Sequence, residues 1–206
     1  MRKITVLVSN DLSHDQRVRK TCDSLIKLGF APTLVGRKLT TSIDFSRPYP
    51  VKRFKLPFNH GGLFYATLNI RVFFFLLFAS TDFIWANDLD TLPAAWLVSR
   101  LRGKKLIYDS HEYFTEAAGL DGRRFQKRVW EWFEWLILPD LNAIFTVNEK
   151  IASIYEEQYH CHVAVLRNVP EFNPLINVKS RAELNLPEGP LFILQGAFMD
   201  KDRGGI

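Results

Sequence analysis

The sequence predicts an α/β fold, in which helices cover both faces of a doubly wound parallel β-sheet. Strand-like and helix-like segments alternate along most of the 206 residues, and the strand-like segments are short, continuous apolar runs. Such runs are typical of parallel strands that are buried on both faces. The alternation favours right-handed crossovers, and a sheet built in this way places its ligands at the carboxyl ends of its strands.

Seven strands and five helices follow from the apolar pattern. The strands are predicted at residues 4–8, 33–36, 51–55, 82–86, 105–108, 143–147 and 163–166. The helices are predicted at residues 13–29, 63–79, 92–101, 123–138 and 149–159. Ser13 and Gln16 have the spacing of a capping box, Gly29 and Gly103 supply helix stops, and Pro139 ends the fourth helix.

Composition indicates the compartment. Cys22 and Cys161 lie far apart, which argues against a disulfide framework and favours a reducing cytosol. The amino-terminal apolar run is too short for a signal peptide. The most membrane-like segment, residues 63–79, is interrupted by polar residues, and its continuous apolar part is too short to span a bilayer. We therefore expect a buried helix there.

The composition changes near residue 170. Prolines and asparagines replace the apolar periodicity between residues 170 and 190, as is typical of a linker. A new apolar run at residues 191–196 predicts a strand, but no helix follows to cover it. We expect a first domain at residues 1–170, a linker at 171–190 and the truncated start of a second α/β domain at 191–206.

A polar cluster follows the fifth predicted strand and forms the candidate site. The apolar run stops at Asp109, Ser110, His111 and Glu112. Because open α/β sheets bind ligands at this end of their strands, we expect Asp109, His111 and Glu112 to face a cleft. A histidine there can donate a hydrogen bond or stabilise developing charge. The alternative is that His111 only caps the following loop through one of the two carboxylates.

Polar motifs mark the chain at residues 9–18, 85–93, 108–112, 146–148 and 166–170. Their order and spacing resemble the landmarks of family 4 glycosyltransferases. Residues 195–198 and 203–204 are similar to the opening of that family's second domain. The resemblance covers almost the whole chain.

The resemblance implies a GT-B architecture, in which two Rossmann-like domains face a cleft. The first domain, which this chain matches, would hold the acceptor, and the second would hold a nucleotide-diphosphate sugar. The resemblance also implies transfer of the hexosyltransferase type with retention of configuration, no divalent metal, no cofactor, and a lipid-linked or cell-envelope glycan as acceptor. The paired-glutamate motif of the donor site would lie beyond Ile206, so we expect these residues to be inactive by themselves.

Several residues take candidate roles from their position in these motifs. His111 matches the family's cleft histidine, which contacts the donor sugar, and it is the candidate catalytic residue. Asn10, Asp11, Asp15 and Arg17 lie where backbone N–H groups and a helix start favour anions, and they are candidate substrate contacts. Many relatives carry a Gly-Gly pair in this loop, which is absent here. Arg17 can meet a phosphate or pair with Asp15 or Asp11.

Asp88 and Asp90 form an Asp-x-Asp pair, which binds a metal in the other large glycosyltransferase fold. Their place between a strand and a helix argues instead for Asp90 or Thr91 as a helix cap and for Asp88 as an acceptor contact. Residues 160–162, a His-Cys-His triplet, are too compact for a zinc site. Arg203 stands where many relatives carry a lysine that meets the donor diphosphate, and the alternative is a solvated loop residue.

The fourth helix has the composition of a helix at a membrane surface. Its first half is basic, and three tryptophans follow within residues 123–138. One helical stripe contains Phe125, Val129, Phe133 and Leu136. We expect this stripe to pack on the sheet and the other aromatic and basic residues to meet anionic lipid. The protein would then be cytoplasmic and peripheral on the inner face of the membrane.

The charge is consistent with anionic partners. A net charge of +5 and a pI near 9.2 favour anions in general, but no recognition-helix or RNA-binding signature accompanies them, so we do not expect nucleic-acid binding. The resemblance implies a glycosyltransferase that uses a nucleotide sugar. Two alternatives stay open: a sugar-nucleotide 2-epimerase of the same fold, and a non-enzymatic sugar- or nucleotide-binding module.

Overall fold

The computed structural model of the chain describes residues 1–13, 15–116, 122–169 and 179–193. The chain divides into two compact units, Met1–Asn168 and Val169–Ile206. All of the described helices and strands lie in the first unit.

The first unit is built on one sheet of seven parallel strands, as the sequence predicted. The strands are β1 (Arg2–Asp11), β2 (Phe30–Arg37), β3 (Val51–Phe54), β4 (Phe83–Asn87), β5 (Lys105–Ser110), β6 (Ile144–Thr146) and β7 (Val163–Val165). Their order across the sheet is β3-β2-β1-β4-β5-β6-β7. The strand order reverses at β1, which pairs with β2 on one side and β4 on the other. Connections that leave in opposite directions open a crevice at the carboxyl ends of two such strands.

Five α-helices connect the strands. They are α1 (Gln16–Lys27), α2 (Gly61–Phe78), α3 (Leu92–Arg102), α4 (Arg124–Ile137) and α5 (Glu149–Tyr159). Gly103 ends α3 in the left-handed conformation, with a φ of 62°, which glycine adopts without a steric penalty. The predicted capping box at Ser13 is wrong, because Asp15 is the N-cap of α1 and its carboxylate accepts from the Val18 amide at 3.0 Å.

Two apolar clusters cover the two faces of the sheet. The helices α2, α3, α4 and α5 pack on one face, together with Leu7 of β1. The helix α1 packs on the other face, together with Ile4, Val6 and Val8 of the same strand. The alternation of β1 side chains between the two clusters is the two-residue period of a strand that is buried on both sides.

The helix α2 is not buried in the way that we expected. One stripe, formed by Phe64, Leu68, Val72 and Leu76, packs into the core, while large apolar side chains on the opposite side are exposed. The helix has the length and the apolar composition that a membrane span needs, but the core helix of a soluble protein can have them too. Four side chains packed against the sheet identify α2 as a helix of the domain with an apolar outer face.

The predicted core stripe of α4 is wrong in its first half, whereas Phe133 and Leu136 are partly buried and pack against the core as predicted. Trp130 is buried with 6% of its surface exposed, together with Glu134 and Ile137, whereas Phe125 is 78% exposed and Val129 lies at the surface. The buried stripe is thus displaced by one position, or about 100° around the helix. The buried stripe includes the carboxylate of Glu134, and a search for apolar residues at helical spacing does not find it.

The second unit is described only at Val169 and at residues 179–193. Residues 181–185 form a turn, in which Glu183 accepts from the amide and the hydroxyl of Ser180 at 2.7 Å. Leu191, Phe192 and Ile193, the described half of the predicted strand at 191–196, are exposed and form no strand. Residues 194–206, which include the predicted phosphate contact Arg203, lie outside the described residues, as do residues 170–178.

Candidate active site at the carboxyl edge of the sheet

The carboxyl ends of β1, β4 and β5 bring the candidate residues together. Asp88 follows the last residue of β4, Asp109 is the penultimate residue of β5, and His111 follows the end of β5. The two strands pair in register, with Asn87 opposite Asp109. This pairing places Asp88, Asp109 and His111 side by side, next to the strand reversal at β1 and β4.

Asp88 fixes the position of His111. One carboxylate oxygen, Oδ1, accepts from the His111 backbone amide at 3.0 Å, and the other, Oδ2, lies 3.2 Å from the ring Nδ1. Asp88 itself has a φ of 59°, and its amide donates to the Asp109 carbonyl at 2.9 Å. Left-handed backbone is unusual for a residue other than glycine, although aspartate tolerates it better than most. The turn therefore holds an aspartate whose side chain reaches the histidine.

Asp109 lies on the other side of the imidazole. Its side chain is fully buried, and its Oδ2 is 3.5 Å from His111 Nε2, which is long for a hydrogen bond. Neither of these two atoms has a hydrogen-bond partner among the described residues, although both are buried. A buried polar atom without a partner is costly, and these two atoms face each other across a long gap, so Nε2 is held only loosely by Asp109.

The two carboxylates determine the charge of the histidine. Burial by itself lowers the pKa of His111, but the contacts with Asp109 and Asp88 outweigh burial and raise it to about 9. The ring is therefore protonated at neutral pH. An imidazolium donates from both nitrogens and cannot accept a proton, so His111 in this state acts as a hydrogen-bond donor and a positive charge.

Arg17 pairs with neither Asp15 nor Asp11, in contrast to the alternative that the sequence suggested. Its guanidinium donates to Asp109 Oδ1 at 2.8 Å, across 92 positions of the chain. Asp109 thus joins a cation from α1 to the histidine after β5. The predicted contact between Arg17 and a phosphate stays a prediction.

The loop after β1 packs closely on β2. A Cβ atom added at Gly36 would lie 2.6 Å from Leu12 Cδ2 and 3.1 Å from the Asn10 carbonyl oxygen, so the loop needs a glycine at this position. Asp11 accepts from the Ser42 hydroxyl at 2.8 Å and from the Ser13 amide at 3.2 Å. Burial by itself raises the pKa of Asp11, but these hydrogen bonds outweigh burial and lower it.

The remaining predicted contacts are distributed around this edge. Asn10 is exposed, and Asp15 caps α1, as described above. Glu112 is exposed, and its carbonyl accepts from the Ser110 hydroxyl at 2.7 Å. The predicted contacts of these three residues with a substrate stay predictions.

Asp90 lies at the same edge of the sheet, and the sequence assigned it or Thr91 to helix capping. No side-chain capping bond forms at the start of α3 in the described structure, because the Thr91 hydroxyl donates back to the Asn87 carbonyl at 2.8 Å. Asp90 is instead buried, and its Oδ1 has no partner among the described residues. Burial, and then the neighbouring Asp88, raise the pKa of Asp90 to about 7. The Asp-x-Asp pattern in the sequence does not show that one of the two aspartates is buried.

A buried network behind the site was also not anticipated. Glu134 of α4 accepts from the Tyr159 hydroxyl at 2.7 Å, and the Tyr155 hydroxyl lies 3.0 Å from the Ser110 hydroxyl at the end of β5. Burial raises the pKa of Glu134 to about 7, although tyrosine hydroxyls donate to it. The network connects α4 and α5 to the backbone that carries His111.

No metal cluster is found in the part of the chain that the structure describes, if three or more His, Cys, Asp or Glu side chains are required. His160 ends α5 in the left-handed conformation, and His162 pairs with Glu156 at 3.2 Å. His160 is thus the C-cap of α5, and His162 contacts a residue of the last turn of that helix.

The comparisons with known proteins rest on structure, since neither a family model nor a curated protein matches the sequence. Sucrose-phosphate synthase from Thermosynechococcus elongatus superposes with a TM-score of 0.67 at 15% identity, over 91% of this chain and 53% of that chain. Os79 from O. sativa, solved in complex with UDP, superposes with a TM-score of 0.54 at 15% identity, over 78% of this chain and 50% of that chain. The chain has the Rossmann-like fold of GT-B glycosyltransferases.

A third neighbour widens the range of chemistry that this GT-B fold supports. UDP-GlcNAc 2-epimerase from Methanocaldococcus jannaschii superposes with a TM-score of 0.52 at 12% identity, over 79% of this chain and 45% of that chain. The chain spans about half the length of these three proteins. Structural similarity at such low sequence identity establishes the fold alone. Membership of family 4 therefore stays a prediction.

Proposed function

We propose that the chain is the acceptor-side half of a family 4 glycosyltransferase, which transfers a sugar from a nucleotide-diphosphate donor with retention of configuration. In the reaction, the bond between the anomeric carbon and the diphosphate breaks, and the diphosphate leaves with the electron pair. A new bond forms to an acceptor hydroxyl, whose proton passes to the leaving diphosphate. A second domain would hold the donor, so residues 1–206 alone would be inactive.

The observation that carries this proposal is the position of His111, which lies between the carboxylates of Asp88 and Asp109 beside the strand reversal. Its Nε2 lies 3.5 Å from Asp109 Oδ2, which is long for a hydrogen bond, and is the atom that would turn from Asp109 to donate to a sugar hydroxyl. Because the pKa of His111 is raised to about 9, the ring would stabilise negative charge and would not serve as a general base at neutral pH. The GT-B fold of the neighbours supports a nucleotide sugar as the donor.

The acceptor that we propose is a lipid-linked or cell-envelope glycan. The basic and aromatic helix at residues 123–138 supports this choice, since Trp132 and Trp135 are exposed beside Arg124 and Arg128. We further propose that the protein is cytoplasmic and peripheral on the inner face of the membrane. No metal and no cofactor would take part, and the nucleotide sugar would be a co-substrate.

Two other functions fit the same fold. A sugar-nucleotide 2-epimerase is favoured by the structural likeness to UDP-GlcNAc 2-epimerase. A non-enzymatic sugar- or nucleotide-binding module is favoured by the charge balance of the site, in which Arg17 and His111 are both already paired with carboxylates.

The test is an activity screen of the full-length protein across nucleotide sugars, with soluble and lipid-linked glycan acceptors. Labelled sugar in the acceptor fraction supports the transferase, and nuclear magnetic resonance of the product reports the anomeric configuration. Interconversion of the nucleotide sugar without transfer identifies an epimerase. Saturable nucleotide-sugar binding without turnover identifies a binding module, and either of these two outcomes refutes the proposal.

A further inference from the structure

Three neighbouring helices share one face of the sheet and expose an apolar outer surface. The helices α2, α3 and α4 all bury side chains in the same cluster. A residue two positions along a helix points about 200° away, so the residues two positions from the buried ones face outward. In α2 these are Ile70, Phe74 and Phe78, which follow the buried Leu68, Val72 and Leu76.

The outward side chains of α2 are large and strongly exposed. Phe78 is 81% exposed and Phe74 is 57% exposed, and Ile70 and Leu63 are exposed to a similar degree. The helix α3 adds Leu97 and Leu101, and α4 adds Phe125, Trp132 and Trp135. We call these nine residues the outer apolar face. Monomeric soluble proteins rarely expose so many large apolar residues on adjoining elements unless the surface binds something.

The three helices are fastened to one another. The Arg102 guanidinium at the end of α3 donates to the Leu76 and Ala79 carbonyls at the end of α2, at 2.6 and 2.7 Å. Tyr65 of α2 packs edge-on against Trp130 of α4, with 5.2 Å between ring centroids. The three helices are therefore held together on one face of the sheet, and the outer apolar face is formed by their exposed sides.

Charge identifies the partner. The helices α2 and α3 contain no acidic residue, and their exposed charges are Arg71 and Arg100. Arg100 pairs with Asp140 at 3.3 Å, so Arg71 is the cation of these two helices that adds most to the charge of the face. The helix α4 adds exposed Arg124 and Arg128 to its first half. Cationic side chains around exposed aromatic and aliphatic residues fit the negative surface of an anionic bilayer. A second copy of the chain is disfavoured, because a two-fold contact would bring these arginines together.

We propose that the outer apolar face of α2, α3 and α4 docks on an anionic lipid bilayer, and that Phe74 and Phe78 of α2 enter its interface. The docking is peripheral, because the inner stripe of α2 stays in the core of the domain. The inference widens the lipid contact proposed for residues 123–138 and does not need glycosyl transfer, so either can fail alone. Since α3 begins just after the Asp88 turn, a bilayer on this face lies near the candidate site.

Vesicle flotation of the 206-residue chain tests the inference. The vesicles contain either phosphatidylcholine alone or phosphatidylcholine with phosphatidylglycerol. The variants are Phe74→Ser with Phe78→Ser, and Arg124→Gln with Arg128→Gln. The matched control is Leu28→Ser, which removes an equally exposed apolar side chain at the end of α1, on the other face of the sheet. Circular dichroism checks that each variant is folded.

The expected result is flotation with the anionic vesicles and little with the neutral ones. The double phenylalanine variant should lose about tenfold or more in partition coefficient, because two large apolar side chains no longer leave water. The double arginine variant should lose about tenfold on anionic vesicles, and Leu28→Ser should match the unmodified chain.

Three outcomes would overturn the inference. In the first, the unmodified chain does not float with anionic vesicles and stays at the bottom of the gradient. In the second, the double phenylalanine variant floats as well as the unmodified chain. The third is self-association, measured by sedimentation velocity without lipid, that the double phenylalanine variant abolishes while vesicles are not bound. Absence of transfer in the nucleotide-sugar screen refutes the proposed function and leaves this inference intact.

Discussion

The charge of His111 gives the most specific prediction. Asp88→Asn removes one negative charge beside the imidazole and keeps an oxygen that can accept from the His111 amide. Asparagine also tolerates the left-handed φ of position 88. The variant therefore tests the electrostatic contact without removing the backbone turn. The pKa of His111 should fall from about 9 by about one unit or more.

The contribution of His111 to the free energy of unfolding follows from its raised pKa. A pKa raised from 6.5 to about 9 corresponds to about 3 kcal/mol of stability from the protonated ring. The folded state holds this proton more tightly than the unfolded state. The stability is therefore fully present below pH 6.5 and is lost as the pH rises through 9. Removal of one carboxylate should eliminate about 1 kcal/mol of the total, as one pKa unit corresponds to 1.36 kcal/mol.

Two measurements check this prediction. Proton nuclear magnetic resonance follows the His111 ring in the unmodified chain and in Asp88→Asn, with assignment by His111→Gln. Urea unfolding of a double-mutant cycle between positions 88 and 111, at pH 6 and pH 9.5, cancels the separate titration of the neighbouring Asp90. The coupling energy should be larger at pH 6 by about 1 kcal/mol. A His111 midpoint at or below 6.5, or the same coupling at both pH values, would refute the electrostatic explanation.

Three further predictions concern stability, and urea unfolding measures each. Arg17→Ala leaves the buried Asp109 carboxylate with only the more distant His111 imidazolium as a cation and should cost about 3 kcal/mol at pH 7, so a loss near zero would contradict the buried pair. Glu134→Gln should stabilise the chain at pH 8 relative to pH 5 by about 2 to 3 kcal/mol, because a carboxyl whose pKa is raised from 4.5 to about 7 by folding destabilises the fold increasingly as the pH rises from 4.5 to 7; equal effects at both pH values would contradict this. Gly36→Ala should cost about 1 to 3 kcal/mol, since its Cβ would overlap Leu12, and an unchanged midpoint would show that the loop can move.

The sequence was sufficient for the architecture because the relevant signals are local. Apolar runs and helix periodicity give the order of strands and helices, and a parallel sheet follows from their alternation. The polar residues after β5 could be placed at the ligand-binding edge for the same reason. His111 and Asp109 do lie there, and Asp88 joins them from the next strand.

Long-range pairing was beyond the reach of the sequence pattern. Arg17 and Asp109 lie 92 positions apart, and no periodicity connects a helix surface to the end of a distant strand. The stripe of α4 was misplaced because Glu134 is buried, and its burial depends on hydroxyl donors from α5. The two faces of α2 could not be distinguished either, since the helix is apolar almost all round.

The central claim is that His111 acts in sugar transfer, and the most direct measurement is kcat/KM of the full-length protein with His111→Ala. The matched control is His162→Ala, which removes an exposed histidine at the amino edge of the sheet. Loss of a donor to developing charge should reduce kcat/KM by about 100-fold or more, while the control stays near the unmodified rate. An equal rate in His111→Ala and His162→Ala would contradict the claim.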